Sequence, residues 1–224
     1  STATPFEWLL MKRLVIWFLL FNTIGFCRAQ LRPVLPDLNF DRRGDFHYMD
    51  SLRNLAHRHI KSTERLPHTS KNDTIRLEGL RYLAIVFKQW RHDKSDSSFY
   101  YANRLVQQAK HLNNPLYQVR GLMLEEYFYR VRKNDYPKAL QINQEASKLC
   151  SGLPRASSPL WQVQMNMGDI YVVLRDYPKA LQSYQASLTL LPINTLVSKQ
   201  NQKLLMAQVV SQIGEVYDRQ SKVD

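Results

Sequence analysis

From Asp45 onward the apolar residues of this chain fall at helical spacing, in successive stretches separated by polar or proline-bearing breaks. Met49, Leu52, Ala56 and Ile60 stand at i, i+3, i+7 and i+11, with Arg53, His57, Arg58, Lys61 and Arg65 on the remaining surface. Pro67 closes that helix, and Ser70 with Asp73 three residues later predicts a cap for the next. Leu77, Leu80, Ala84 and Phe87 give its apolar side. The polar run Arg91 to Ser98 predicts a turn, and Ala102, Leu105, Val106, Ala109 and Leu112 then form an unbroken stripe, so the two stretches read as one helical hairpin.

Asn114-Pro115 pairs a capping residue with a proline that suits the first helical turn, and Leu116, Val119, Met123 and Tyr127 follow on one side, with an end expected near Asn134. Asp135 caps the returning helix, whose stripe is Ala139, Ile142, Ala146 and Leu149. A third hairpin is expected from Ser158-Pro159, with Met167, Ile170, Tyr171 and Leu174 inward, a turn at Asp176-Tyr177-Pro178, and Ala180, Tyr184, Leu188 and Leu191 on the returning helix until Pro192 stops it. A last helix, roughly residues 196 to 219, shows Ala207, Val210, Gly214 and Tyr217.

These breaks contain a repeat. Asp135-Tyr136-Pro137-Lys138-Ala139-Leu140-Gln141 returns as Asp176-Tyr177-Pro178-Lys179-Ala180-Leu181-Gln182, and 176 minus 135 gives a period of 41, the length of a helix pair with its connections. Within it, Gly168 and Tyr171 precede the second copy, Ala180 and Tyr184 follow, and Pro192 ends the unit. At these spacings Trp161 to Asn194 resembles a tetratricopeptide repeat. The resemblance implies an all-α fold, a right-handed superhelical array of helical hairpins over residues 45 to 224. Small Gly168 and Ala180 would let two helices approach, with Tyr171 and Tyr184 filling the space between hairpins. The repeat containing Ala139 is degenerate: the same 41-residue register puts Tyr127 where glycine is expected and Arg130 where tyrosine is expected. Gly214 and Tyr217 restart the pattern, and the sequence given reaches Asp224 as a further helix would begin, so the last repeat reads as incomplete and the chain as a piece of a longer repeat protein.

The region before Asp45 follows other rules. Met11-Lys12-Arg13, the apolar run Leu14 to Phe26 and Cys27-Arg28-Ala29 read as an export signal over residues 11–29, cleaved after Ala29. The run is shorter than the roughly 20 residues that cross a bilayer as a helix; an uncleaved membrane anchor and a buried helix are the alternatives. Residues 1–10 read as an upstream extension, and residues 30–44, with two prolines and no apolar period, as an extended lead-in. Cys150 would then be the one remaining thiol, a small hydrophobe at the end of a stripe rather than a nucleophile.

Charge adds little selectivity. The formal net charge is +12; removing Lys12, Arg13 and Arg28 together with Glu7 leaves +10, enough to attract nucleic acid, anionic lipid or an acidic protein without choosing among them. Catalytic motifs are lacking: there is no Gly-rich phosphate loop, no Gly-x-Ser-x-Gly and no His-Glu-x-x-His. His57 and His59 lie two apart and diverge on a helix, as do the adjacent Glu125 and Glu126, so neither a metal site nor a carboxylate dyad is expected, and no cofactor is implied.

A binding module fits better, since stacked hairpins form a concave surface suited to a peptide or a partner helix. The tetratricopeptide resemblance places the first helix of each hairpin on that surface. This nominates Gln162, Met165 and Asp169 in the best repeat, and Gln208, Ser211 and Glu215 in the last helix, with ordinary solvated positions as the competing reading. The family's Lys/Asn clamp for a terminal carboxylate is not matched, because Met165 and Asp169 stand at two of its positions. An export signal, degenerate repeats and an incomplete end also resemble the extracytoplasmic sensor region of bacterial histidine kinases of the Bacteroidetes type, whose membrane span and kinase core would lie in further sequence. A stand-alone exported scaffold explains the same residues. Export, and the lack of a regular base-reading position in each repeat, weigh against a helical-repeat RNA binder.

Overall fold

Helix after helix in this chain opens on a side chain that accepts a hydrogen bond from the first turn of backbone. A computed structural model describes residues 45–64, 66–89 and 96–221, all within the unit Asn39–Asp224. The expected upstream extension, export signal and lead-in lie outside the described residues. The helices are α1 (Phe46–Glu64), α2 (Ser70–Gln89), α3 (Ser97–His111), α4 (Pro115–Tyr127), α5 (Tyr136–Cys150), α6 (Leu160–Val173), α7 (Tyr177–Leu190) and α8 (Lys199–Gln220). Asn114 Oδ1 accepts from the Tyr117 amide at 3.3 Å, Asp135 Oδ1 from Lys138 at 3.0 Å and Asp176 Oδ1 from Lys179 at 3.3 Å, each satisfying a backbone donor that the helix start would leave orphaned. The residue before each of these caps turns left-handed: Asn113, Asn134 and Arg175 have φ of 50°, 54° and 59°. The duplicated heptapeptide is thus a turn and helix start, with Ala139 and Ala180 fully buried and Lys138 and Lys179 exposed.

Successive helices pack against one another from α1 through α8, and α2 also meets α4. The buried apolar residues form clusters along this order. Leu77, Leu80, Ala102, Leu105 and Leu124 join α2, α3 and α4; Val106, Val119, Leu122, Ile142 and Val163 join α3 to α6; Trp161, Met165, Tyr184, Val209 and Val216 join α6, α7 and α8. Each helix buries its apolar area against sequence neighbours, the pattern of a stacked array. Among the described residues the fold is all-α, and no helix is long and apolar enough to cross a membrane.

Several expectations need correction. The α2 cap is Thr69, whose Oγ1 accepts from the Asn72 amide at 3.2 Å; Ser70 is already helical, and Asp73 instead accepts from Arg76 at 2.9 Å. That arginine, 6% exposed, reaches back to the carbonyls of Thr63 and Leu66 and ties α2 to the end of α1. Leu116, Met123 and Tyr127 do not form the buried stripe of α4. Tyr117, Val119, Gly121, Leu122, Leu124, Glu125 and Glu126 are buried, because neighbours cover α4 on more than one side and a single stripe cannot describe it. Leu174 is 45% exposed at the end of its helix.

The last helix starts three residues later than expected. It begins at Lys199, with Ser198 as its cap, and packs through Gln202, Val209 and Val216, with Leu205 and Ile213 beside them. Val210 and Tyr217 are 56% and 55% exposed, Ala207 is exposed, and nothing lies within 4 Å of a Cβ built on Gly214. α8 carries two apolar stripes, and periodicity could not say which one α7 covers.

The register of the second repeat is set by a π-helical segment, Phe128–Lys133, between α4 and its cap. The Asp176 amide donates to the Tyr171 carbonyl five residues back; the Asp135 amide donates to the Tyr129 carbonyl six residues back, both at 2.9 Å. One extra residue is therefore accommodated before Asp135. Counting from the caps, Tyr129 takes the place of Tyr171, and Glu126 takes the place of Gly168. The expected assignment of Tyr127 and Arg130 to those places is off by that one residue.

Candidate functional site

The nominated residues of α6 lie on a stripe that earlier helices share. The π insertion puts α4 and α6 42 rather than 41 residues apart, and Gly79 and Gly121 give the same 42-residue step from α2 to α4. Counting back 42 from Gln162, Met165 and Asp169 reaches Arg120, Met123 and Tyr127 on α4, and another 42 reaches Glu78, Arg81 and Ile85 on α2. Arg81, Ile85, Arg120, Met123, Tyr127 and Gln162 all line one cavity of about 420 Å³. Lys88, Leu116, Glu126, Arg130, Trp161 and Asn166 complete its helical walls, and Asn194, Leu196 and Val197, from the connection after α7, form its far end. A concave space of this size, part apolar and part polar, has the dimensions of a ligand or side-chain pocket.

Its charge is uneven. Four basic side chains, Arg81, Lys88, Arg120 and Arg130, face one acidic one, Glu126. Glu78, at the edge, is shared: it accepts from Arg81 Nε at 2.7 Å, Arg120 Nη1 at 3.3 Å and the Tyr117 hydroxyl at 2.8 Å. Burial, then the Glu78 charge, pushes the Tyr117 phenol well above its ordinary pKa, so it remains a donor. The Lys88 ammonium stands 3.6 Å from the centre of the Tyr127 ring, a cation–π distance.

Under this surface runs a polar link between hairpins. Glu126, fully buried, accepts from Arg130 Nε at 2.5 Å and from Asn166 Nδ2 on α6 at 3.1 Å. Arg130 Nη1 also lies 3.8 Å from Asp169 Oδ2, and Asp169 Oδ1 accepts from the Tyr184 hydroxyl at 2.8 Å and from Gln212 Nε2 on α8 at 2.9 Å. Burial raises the pKa of Glu126, opposed by the Arg130 charge. It raises Asp169 as well, opposed by the Tyr184 hydrogen bond and Arg130. Adjacent Glu125 is buried on another side, where it accepts from Asn103 of α3 at 3.1 Å, so the two glutamates diverge as their helical spacing requires.

No protein-family model and no curated protein matches the sequence. Among solved structures, the chain is similar to the crystal structure of BtubC (BKLC) from P. vanneervenii, with a TM-score of 0.64 at 14% identity over 80% of this chain and 68% of that one. At that identity the likeness is one of fold.

The other nominated residues separate. Gln162 lines the cavity; Met165 is buried in the core shared by α6, α7 and α8; Asp169 belongs to the polar link beneath the cavity wall. Gln208, Ser211 and Glu215 are exposed on α8, with Glu215 paired to Arg219 at 2.6 Å. The packing residues divide similarly. A Cβ on Gly168 would meet the Tyr184 ring at 2.4 Å, Tyr184 is 2% exposed, Ala180 is buried and Tyr171 packs beside them, whereas Pro192 is exposed in a short 3-10 turn. Gly214 and Tyr217 repeat this arrangement with nothing over it among the described residues. Cys150 is buried, and burial raises its thiol pKa, against nucleophilic use. The cavity's arginines were missed by sequence reading because Arg81 comes from one hairpin and Arg120 and Arg130 from the next; counting the nominated stripe back by 42 passes through Arg120 and Arg81 but not Arg130.

Proposed function

We propose that this chain is a tetratricopeptide-type module, a right-handed superhelical stack of helical hairpins, that binds a segment of a partner protein along the face formed by its first helices. The observation that carries the reading is that one concave cavity is lined from three successive first helices, by Arg81 and Ile85 of α2, Arg120, Met123 and Tyr127 of α4, and Gln162 of α6. The same face is backed by hydrogen bonds between repeats, Tyr117 to Glu78 and Asn166 to Glu126, which fix the spacing of the helices that line it. Preformed spacing lowers the ordering cost of binding. The chain's part in this reading is recognition rather than catalysis, in an exported protein.

A photo-crosslinking amino acid at Met123, in the cavity, compared with one at the exposed Gln141 of α5, tests the assignment of the face. Irradiation in the native host should give discrete protein adducts from position 123 and none from 141. Adducts from 141 alone would reject the proposed face.

A further inference from the structure

The chemistry of the cavity narrows what it can hold. Arg81, Lys88, Arg120 and Arg130 stand against Glu126 on the lining and Glu78 beside it, four basic side chains to two glutamates, which leaves an excess of positive charge at a space of about 420 Å³. Arg81 and Arg120 share the single carboxylate of Glu78, each giving it one hydrogen bond. A guanidinium carries five N–H donors, so each arginine keeps donors beyond the one it gives Glu78. Donors that flank one carboxylate suit a second, placed between the two arginines. Beside them the lining is apolar: Leu116, Met123 and Leu196, the last 59% exposed, offer a floor that gains by covering a bulky side chain.

We propose that the cavity recognises an acidic peptide segment, in which an Asp or Glu side chain engages Arg81 and Arg120 while a neighbouring large apolar residue covers Leu116, Met123 and Leu196. The inference rests on the binding-module reading above and adds the class of ligand. A nucleic acid would use the same positive charge. The apolar floor and the pocket's confinement favour a peptide, since a nucleic-acid backbone calls for an extended basic track with stacking surfaces along it.

The test is selection from a random dodecapeptide display library against the full 224-residue chain, followed by fluorescence anisotropy with the synthesised peptides. Enriched peptides should carry Asp or Glu within two positions of Leu, Ile, Phe or Trp. Replacing their acidic residues with the corresponding amides should weaken binding at least tenfold, as should the double variant Arg81→Gln/Arg120→Gln, with circular dichroism confirming that it remains folded. Because that variant also removes two of the three partners of Glu78, a salt titration of the unaltered chain is the second measurement, and affinity should fall steadily with added salt. Neutral or basic enriched peptides, affinity indifferent to the amide swap and to salt, or displacement by an equal concentration of a dT12 oligonucleotide would each overturn the inference. Failure to enrich any peptide would overturn it as well. The binding-module reading has its own readout: if peptides of any charge bind and Met123→Trp abolishes binding, the cavity is still the site, whereas binding unchanged by Met123→Trp removes the cavity from the reading.

Discussion

The hairpins α4–α5 and α6–α7 turn on the same seven residues yet carry opposite chemistry at equivalent buried positions. In α6–α7 the bulk comes from the second helix, where the Tyr184 ring lies against Gly168 and its hydroxyl reaches Asp169. In α4–α5 the equivalent of Gly168 is Glu126 and, 41 residues before Tyr184, the second helix carries Asn143. Both are fully buried, but Glu126 is held by Arg130 and Asn166, whereas neither polar atom of the Asn143 amide has a hydrogen-bond partner. At Gly168 an aromatic ring gives apolar contact within the hairpin. At Glu126 a buried carboxylate is held instead by an arginine of its own hairpin and an amide of the next, with the desolvation of a charge.

The largest effect should separate the two second helices. Tyr184→Ala is expected to destabilise by about 3–5 kcal/mol, as large aromatic truncations in cores do, while Asn143→Ala should cost less than about 1 kcal/mol because its amide satisfies nothing. Urea denaturation followed by circular dichroism reads both, and equal losses would dissolve the contrast. Next come the two glycines in equivalent slots. Gly168→Ala should destabilise by about 1–3 kcal/mol through overpacking against Tyr184, whereas Gly214→Ala, with open space around it, should stabilise by about 0.5–1 kcal/mol through helix propensity. Opposite signs in thermal midpoint are the outcome to look for.

The smallest effect is a slope. Burial raises the pKa of Glu126 above its unfolded value, so the folded chain holds that proton more tightly. Its contribution favours folding at low pH and is lost as the pH rises from the ordinary carboxylate range through the raised value. Glu126→Gln keeps a carbonyl acceptor for Asn166 and removes the titration, so its stability should decline less over that interval than that of the unaltered chain. Asp169 and Glu125, raised for the same reason, remain as the residual slope. Parallel pH profiles for the two proteins would show that the Arg130 charge fully offsets the burial of Glu126.

Much of the architecture was legible because it is written locally. Asn114, Asp135 and Asp176 announce helix starts within three residues of themselves, and the stripes of Ala102, Leu105 and Ala109 or Ala180 and Tyr184 announce what is buried. Thr69 displaced Ser70 as a cap because either hydroxyl could serve and only the path of the chain decides. The cavity was legible as a stripe but not as a place. Arg81, Arg120 and Arg130 converge on it only after α2, α4 and α6 have stacked, and nothing in a helix with two apolar stripes says that Val209 and Val216, rather than Val210 and Tyr217, face α7.

The π-helical segment bears on how such an array can vary. A residue added inside an α-helix turns everything upstream by about 100° relative to everything downstream, which would swing a binding face into the core. Here six residues absorb the addition, and the left-handed turn at Asn134 and the cap at Asp135 are built as they are in the repeat without it. A single inserted codon can thus change which side chains one hairpin offers to its groove while the neighbouring hairpins keep their own faces and their spacing.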